Sequence, residues 1–584
     1  MRTKQYFIFA ISTIISVFLA GSLFAQNPRK NILFIAVDDL KPLLGSYGDT
    51  LAVTPHIDKL ADAGTIFSNN HCQQAVCAPS RASIMTGLRP DRTKVWDLDT
   101  QIRDMVPDIL TMPQHFMAQG YETAGTGKIF DSRSVDALMD EPSWSVPFAS
   151  ISGSRWINAT GKISTESGDV PDDALTDGKI ALKGVELMQQ LAAGDKPFFL
   201  AVGFKKPHLP FVAPQKYWDM YDREKIGVHP FQQHAKGTPQ FAFQPGWELR
   251  SYDDIHASDP IPEEKQKEII HGYYACVSYI DTQIGLLLDK LDELGLREDT
   301  IIVLWGDHGW HLGDHNMWAK HSNFEQATRS PLIISAPGFA GNQQSNSPTE
   351  FVDVFPTLCA LAGIPVPADL DGVDLTPVLE KPEEMVKDFA ISQFGRNSGG
   401  QRFEGYALRD KRYRYIEWLG DDFRSTMLYD ENKVVARELY DYQTDPLETV
   451  NLVDSASYQG VVLDLQTKLV DFFSSTRIID EVKQGEGHSE IPNGFELLQN
   501  YPNPFNPSTT IRYKLHRAGK VELSIYNMAG QHVQTLVSRH QQGGSFSVRW
   551  DGRNAQGLEV GTGIYISRLS VGSDTRTSKL LLIR

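Results

Sequence analysis

Four short apolar runs limit what this chain can fold into. Ile32–Val37, Phe198–Val202, Ile301–Trp305 and, more briefly, Leu332–Ser335 lack the polar alternation of a half-exposed strand. Runs of this kind belong to strands covered on both faces, the pattern of a parallel sheet buried between helices. The segments between them carry a helical period. The clearest spans about 262–294, where Ile270, Tyr273, Tyr274, Val277, Ile280, Ile284, Leu287, Leu288 and Leu291 recur at a spacing of three or four and Gly295 ends the pattern. The expected class is α/β, a mostly parallel central sheet flanked by helices over residues 26–380. Residues 381–480 shift to shorter mixed elements, such as Gly405–Leu408 and Arg412–Ile416, and predict a smaller antiparallel subdomain. With 584 residues, 41% of them hydrophobic, the chain has ample apolar surface for a large core.

Both ends read as addresses. Arg2 and Lys4 precede an uncharged stretch from Tyr6 to Ala25 that closes Ser22-Leu-Phe-Ala25. That arrangement predicts a signal peptide over 1–25 rather than a membrane anchor, so the mature protein is expected to be exported and not membrane-spanning. Residues 481–493 are polar and predict a linker. Beyond it, 494–584 carry 11 Lys/Arg against 5 Asp/Glu, and alternating runs such as Thr510–Leu515 and Val521–Tyr526 predict a small all-β sandwich. The whole chain has a formal charge of −17, which argues against a nucleic-acid partner. Any anion must be held in a locally basic pocket.

Two of the apolar runs end in residues suited to a metal: Val37-Asp38-Asp39 and Trp305-Gly306-Asp307-His308. In open α/β sheets, ligands sit beyond the carboxyl ends of strands. Three carboxylates and an imidazole gathered there would repel unless a cation neutralised them, and so oxygen-rich a set suits a hard divalent ion. His308, His311 and His315 leave a zinc reading open. The remaining chemistry lies in Cys77-Ala-Pro-Ser-Arg81, which opens a short helix whose N-terminus would stabilise a thiolate. Cys72, Cys276 and Cys359 read as buried structural residues.

The Cys77–Arg81 string resembles the Cys-X-Pro-Ser-Arg motif of the sulfatase family. The resemblance covers roughly 31–454 and is strongest to the iduronate-2-sulfatase branch. It rests on Ala36-Val-Asp-Asp-Leu40, Gln73–Arg81, Lys206-Pro-His-Leu-Pro-Phe211, Asp307-His-Gly-Trp310 and Trp318-Ala-Lys320 with Ser322-Asn-Phe324. It implies an alkaline-phosphatase-like fold, and a maturation enzyme that oxidises Cys77 to formylglycine. One hydroxyl of the hydrated aldehyde would attack sulfur, and the other would drive release of sulfate. It further implies one Ca²⁺ held by Asp38, Asp39, Asp307, His308 and residue 77. Arg81, Lys128, His208 and Lys320 would hold sulfate or assist the leaving oxygen, with Asp307 as proton acceptor. Lys94 and Trp310 are candidate sugar contacts, Trp96 is another, and Arg89, Arg92, Lys205, Lys206 and Arg329 are candidate pocket cations. The substrate class implied is a sulfated carbohydrate, from a glycosaminoglycan or an algal glycan.

One position departs from the family pattern. Asp131 stands where the family places a His, three residues after Lys128. Either its pKa is raised, another His such as His115 substitutes, or the release step is slow. The tail, with Tyr501-Pro-Asn-Pro-Phe-Asn-Pro-Ser508, resembles the sorting domain of type IX secretion in Bacteroidetes-like bacteria, implying a secreted or cell-surface enzyme. Two other readings remain at this stage: a phosphoryl-transfer relative on the same fold, and an inactive glycan-binding protein.

Overall fold

The computed structural model describes residues 29–583 apart from 256–259, 421–422, 427–428, 484–494, 498–499, 501–502, 504, 516–518, 528–529, 543 and 573. The expected signal peptide, 1–25, lies outside the described residues, as does the expected linker from 484 onward. The chain divides into two compact units, one ending at Ile478 and one running from Ile479 to Arg584.

The first unit is organised by a seven-stranded sheet. Its strands are β1 (Asn31–Asp38), β2 (Thr65–Phe67), β3 (Glu122–Gly127), β4 (Phe198–Pro207), β5 (Thr300–Gly306), β6 (Leu332–Ser335) and β7 (Gln343–Ser345), in the order β7-β2-β6-β5-β1-β4-β3. Strand β1 runs parallel to both β4 and β5, and β3 runs parallel to β4. Strand β6 is antiparallel to β5 and to β2, so the sheet is mixed at this edge. An apolar run records burial on two faces and carries no sign of direction, which is set by the connection that delivers the strand.

Alternate residues of β1 feed two cores, as the period of a strand requires. Leu33, Ile35 and Val37 pack with Tyr273, Ile280, Ile284, Leu287 and Leu291. These last belong to a helix, Glu263–Glu293, of 31 residues. At ~1.5 Å per residue it is roughly 46 Å long and spans the sheet. Ile32, Phe34 and Ala36 face the other way, into a cluster with Ile84, Met85 and Trp305. Ile84 and Met85 come from α1 (Cys77–Thr86), all ten residues of which are buried. Two further helices matter below: α2 (Thr176–Ala192) and α3, the Glu263–Glu293 helix.

The antiparallel subdomain follows as β8 (Ala390–Ser398), β9 (Gln401–Arg409), β10 (Tyr413–Leu419) and β11 (Val434–Asp441), a meander in sequence order. Helix α4 (Gln459–Lys483) lays Leu465, Leu469 and Phe473 against Ile391, Tyr406 and Leu408. Buried Glu325 anchors this sheet to the first, bonding Arg409 at 3.0 Å and also Arg414. The second unit holds two antiparallel sheets. One orders β12 (Phe495–Leu497), β13 (Thr509–Leu515) and β16 (Gly544–Trp550). The other orders β15 (His532–Gln541), β14 (Gly519–Asn527), β17 (Gly563–Val571) and β18 (Asp574–Leu582). Ile511, Tyr513, Leu523, Ile525, Trp550 and Leu569 form its own core. Among the described residues, no helix is long and apolar enough to cross a membrane.

Candidate active site

Four parallel strands deliver their carboxyl ends to one place. Strand β1 ends at Asp38 and Asp39, β5 at Asp307 and His308, β3 at Lys128, and β4 at His208. The close approach of β3 to β4 needs glycine on both sides. A Cβ on Gly127 would strike the Gly203 carbonyl, and one on Gly203 would strike Lys128. Helix α1 brings Cys77 to the same point by its N-terminus.

The acids are held by fixed cations. Arg81 is fully buried; its Nη2 donates to Asp38 Oδ1 at 3.0 Å and its Nε to Asp307 Oδ2 at 3.0 Å. Lys128 Nζ donates to the other Asp38 oxygen at 2.6 Å, and Lys320 Nζ to Asp39 Oδ1 at 2.8 Å. The Cys77 thiol lies 3.5 Å from His308 Nε2 and 3.5 Å from Lys320 Nζ. His308 turns Nδ1 to the Gly309 carbonyl at 2.9 Å, which leaves Nε2 facing the acids, 3.3 Å from Asp39. Burial pushes the Cys77 thiol well above its usual range, aided by the charge of Asp38. Burial also raises Asp39 to about 7, against the opposing pull of Lys320. For Asp38, burial is outweighed by Lys128 and Arg81, and its carboxyl sits well below the ordinary range.

Ligand atoms of Asp39, Cys77, Asp307 and His308 all lie within 4.8 Å of one another, and so do those of Asp38, Asp39, Cys77 and His208. Asp39 Oδ2 is buried without a hydrogen-bond partner. An orphaned carboxylate oxygen inside a crowd of acids fits a divalent cation. The zinc trio is not assembled. His311 bonds Asp314 and, at 2.7 Å, Ser322, and His315 packs 4.6 Å from Phe324. Only His308 of the three faces the acids.

His208 reaches Glu248 at 3.3 Å through Nε2, while Nδ1 lies 2.7 Å from the Leu209 carbonyl. Burial, and then Lys320, push its pKa down to about 4. Glu248 also lies 3.5 Å from Lys320 and was not signalled by any motif. It stands in a short helix, Trp247–Arg250, forty residues on from His208, and only the fold joins the two.

Several expected positions are corrected. Trp310 is 1% exposed, packed 6.3 Å from Phe211 with Lys320 Nζ 5.1 Å above its ring, so it braces the lysine and offers no face to a sugar. Arg89 is spent on Glu350, Arg92 on Asp371 at 2.9 Å, and Arg329 on the Ser68 carbonyl at 2.8 Å. Lys206 donates to the His208 carbonyl at 3.0 Å and supports that turn instead of facing a ligand. Lys205 is exposed, and Lys94 stands beside Trp96 with its Nζ 5.8 Å from the ring. Asp131 is gripped by Arg133 at 2.9 and 2.8 Å, with Lys128 3.7 Å away. Burial would raise its pKa, but these partners outweigh it and hold the carboxyl far below the usual range. The raised-pKa account of Asp131 is therefore wrong. His115 does not substitute either: its Nε2 bonds the Pro365 carbonyl at 2.7 Å and its ring packs on Phe355.

Comparison with known proteins agrees with this geometry. The sulfatase family model matches residues 30–364, a model of the N-sulphoglucosamine sulphohydrolase C-terminal region matches 313–475, and a FlgD Ig-like domain model matches 507–574. Iduronate 2-sulfatase of Mus musculus is 34% identical over 516 residues, covering 75% of this chain and 93% of its own. Two solved structures share the fold. One, in complex with D-glucosamine-2-N,6-O-disulfate, has a TM-score of 0.61 at 22% identity and covers 78% of this chain and 99% of its own. The phosphonate monoester hydrolase of Agrobacterium radiobacter has a TM-score of 0.63 at 23% identity, covering 76% and 96%. With the Cys77–Arg81 string at the head of a buried helix and the acids of β1 and β5 around it, the chain belongs to the sulfatase family and is a sulfuric ester hydrolase.

Proposed function

We propose that this protein is an exported carbohydrate sulfatase of the iduronate-2-sulfatase type, acting on a sulfated glycan after Cys77 has been oxidised to formylglycine by a maturation enzyme. The observation that carries the reading is the position of Cys77, 3.5 Å from both His308 and Lys320 at the meeting point of four strand ends. Once formed, formylglycine supplies a hydrated aldehyde, whose hydroxyls serve as nucleophile and as the drive for sulfate release. Asp38, Asp39, Asp307 and His308 would hold Ca²⁺, which supplies Lewis-acid stabilisation of sulfate oxygens.

The chain's own residues do the rest. Arg81 clamps Asp38 and Asp307 in place, so the two strand ends move as one. Lys128 and Lys320 set positive charge near residue 77, where negative charge on the sulfuryl and leaving oxygens must be stabilised in the transition state. Asp307, tied by one oxygen to Arg81 and by the other to the Asp39 N–H at 2.9 Å, is positioned to accept a proton. His208 and Lys320 converge where the leaving alcohol oxygen must depart. The segment 1–25 would direct export, and the β-sheet unit after 479 would be the sorting signal read by type IX secretion machinery at a Bacteroidetes-like cell surface.

The test is sulfate release from a panel of sulfated uronate and neutral-sugar fragments, with a phosphonate monoester included, using protein matured beside a formylglycine-generating enzyme. Sulfate release is expected from at least one glycan and to fall at least 10³-fold in Cys77→Ala. Turnover of the phosphonate ester alone, or activity that survives in Cys77→Ala, would sink the reading.

A further inference from the structure

Lys320 stands on a turn that its own backbone does not favour. Ala319 and His321, on either side of it, both have φ 71°. Left-handed backbone is unfavourable at any residue with a Cβ, and two such residues so close together persist only where the surroundings impose them. Before Lys320, the surroundings are local. Trp318–Ala319 pairs antiparallel with His311–Leu312, and Gln244 Nε2 donates to the Trp318 carbonyl. After it, the holding group comes from the antiparallel subdomain.

That group is Arg396 of β8, which is 9% exposed. Its Nε donates to the Phe241 carbonyl at 2.9 Å, and its Nη2 to the Ala242 carbonyl at 3.0 Å and to the His321 carbonyl. Among the described residues it makes no ion pair, whereas buried Arg81, Arg89 and Arg414 are each matched by an acid. A buried cation without a counter-ion is costly, so charge pairing does not account for its place. What its bonds achieve is to join two segments that both lead to the reacting atoms. Residues 241–242 run on into the short helix Trp247–Arg250, whose Glu248 lies 3.3 Å from His208 and 3.5 Å from Lys320. The His321 carbonyl follows Lys320 directly, and Lys320 Nζ reaches Asp39 at 2.8 Å and the Cys77 thiol at 3.5 Å. The Trp247 ring stacks on that of His321 at 5.3 Å and 13°, between the same two segments.

We propose that Arg396 is a positioning residue for ester cleavage: it ties the Lys320 turn and the Glu248 segment to β8, and so holds Lys320 Nζ where the leaving oxygen departs. A guanidinium suits the task because its planar fork donates in several fixed directions at once. The proposal rests on the leaving-group role given above to Lys320, and deepens it.

The full-length matured enzyme is assayed as wild type, Arg396→Ala, Arg396→Lys and Lys320→Ala. The substrates are the glycan sulfate that responds and a series of aryl sulfates whose phenols differ in acidity. A group that steadies a departing oxygen matters most when that oxygen leaves poorly. Lys320→Ala should therefore lose most on the glycan ester and least on the most acidic phenol. Arg396→Ala should follow the same slope, with kcat on the glycan ester down roughly tenfold or more and KM within about twofold. Arg396→Lys, which keeps the charge and loses the fork, should fall between. Arg396 lines a cleft of about 310 Å³, so a small cation can enter the place its side chain leaves. Millimolar methylguanidinium should restore part of the glycan rate to Arg396→Ala and none to Lys320→Ala. If thermal melts show that Arg396→Ala does not fold, the slope of Arg396→Lys decides. Wild-type rates throughout, or a loss that is equal on every ester and untouched by methylguanidinium, overturns the positioning role. Rescue of Arg396→Ala beside a flat slope in Lys320→Ala would instead overturn the leaving-group reading of Lys320 and leave the Arg396 clasp standing.

Discussion

Asp131 shows how one residue can change the meaning of a site without breaking it. The Arg133 fork and Lys128 keep it ionised, so it places a fixed negative charge 3.7 Å from the Lys128 ammonium. It cannot act as a proton donor near neutrality. Its folded pKa is depressed, so its stabilising contribution is complete above the unfolded value of about 3.9 and fades as pH falls through that range and below. Between pH 5 and 9 it contributes no step to the rate. Asp131→His should therefore add a new ionisation to the pH profile of kcat, in the range 5–8, that wild type lacks. A profile of unchanged shape would show that position 131 does not communicate with the reaction. At this scale much was legible, because Cys77–Arg81, Asp38-Asp39 and Asp307-His308 are contiguous strings whose residue types state their chemistry. Trp310 and the arginines near 89–92 were misread, since exposure and pairing are properties of neighbours distant in sequence. Glu248 carries no local signature, and becomes meaningful only when its short helix is folded against the strand ends.

Among elements, the strand ends act as a unit. Asp38 and Asp307 come from adjacent parallel strands, and Arg81 from α1 joins them by two bonds of 3.0 Å. The apolar runs revealed which strands were buried, and so where those ends must lie. They could not reveal that β6 reverses, because Leu332–Ser335 is as apolar in either direction. The tightest contact between elements is glycine on glycine, where β4 passes the end of β3. Gly203→Ala sets a methyl against the backbone of Lys128 and must push that lysine away from Asp38. The expected cost is about 1–3 kcal/mol of stability, from overpacking. A loss of kcat/KM of at least tenfold should accompany it, measured by thermal melts and sulfate release. A variant with wild-type melting and full activity would show that the two strands have slack the geometry denies.

For the molecule as a whole, the second unit has a core of its own apart from those of the first, and the residues gathered at the strand ends belong entirely to the first. The composition change near 480 was visible because the second unit reverses the sign of the chain's charge. Within the first unit, α1 is sealed: none of its ten residues is exposed, and Cys77 itself is 1% exposed. This burial sets an order in time. An enzyme that oxidises Cys77 must grip the peptide around it, and in the finished fold that peptide is interior. On the formylglycine reading proposed above, maturation would therefore precede closure of the core, while the chain is still extended, and its window would end when the sheet and α1 pack. Incubating folded Cys77 protein with the maturation enzyme should leave the thiol intact by mass, whereas the same peptide unfolded is converted. On that reading, folding is the step that would end this site's access to its own activation.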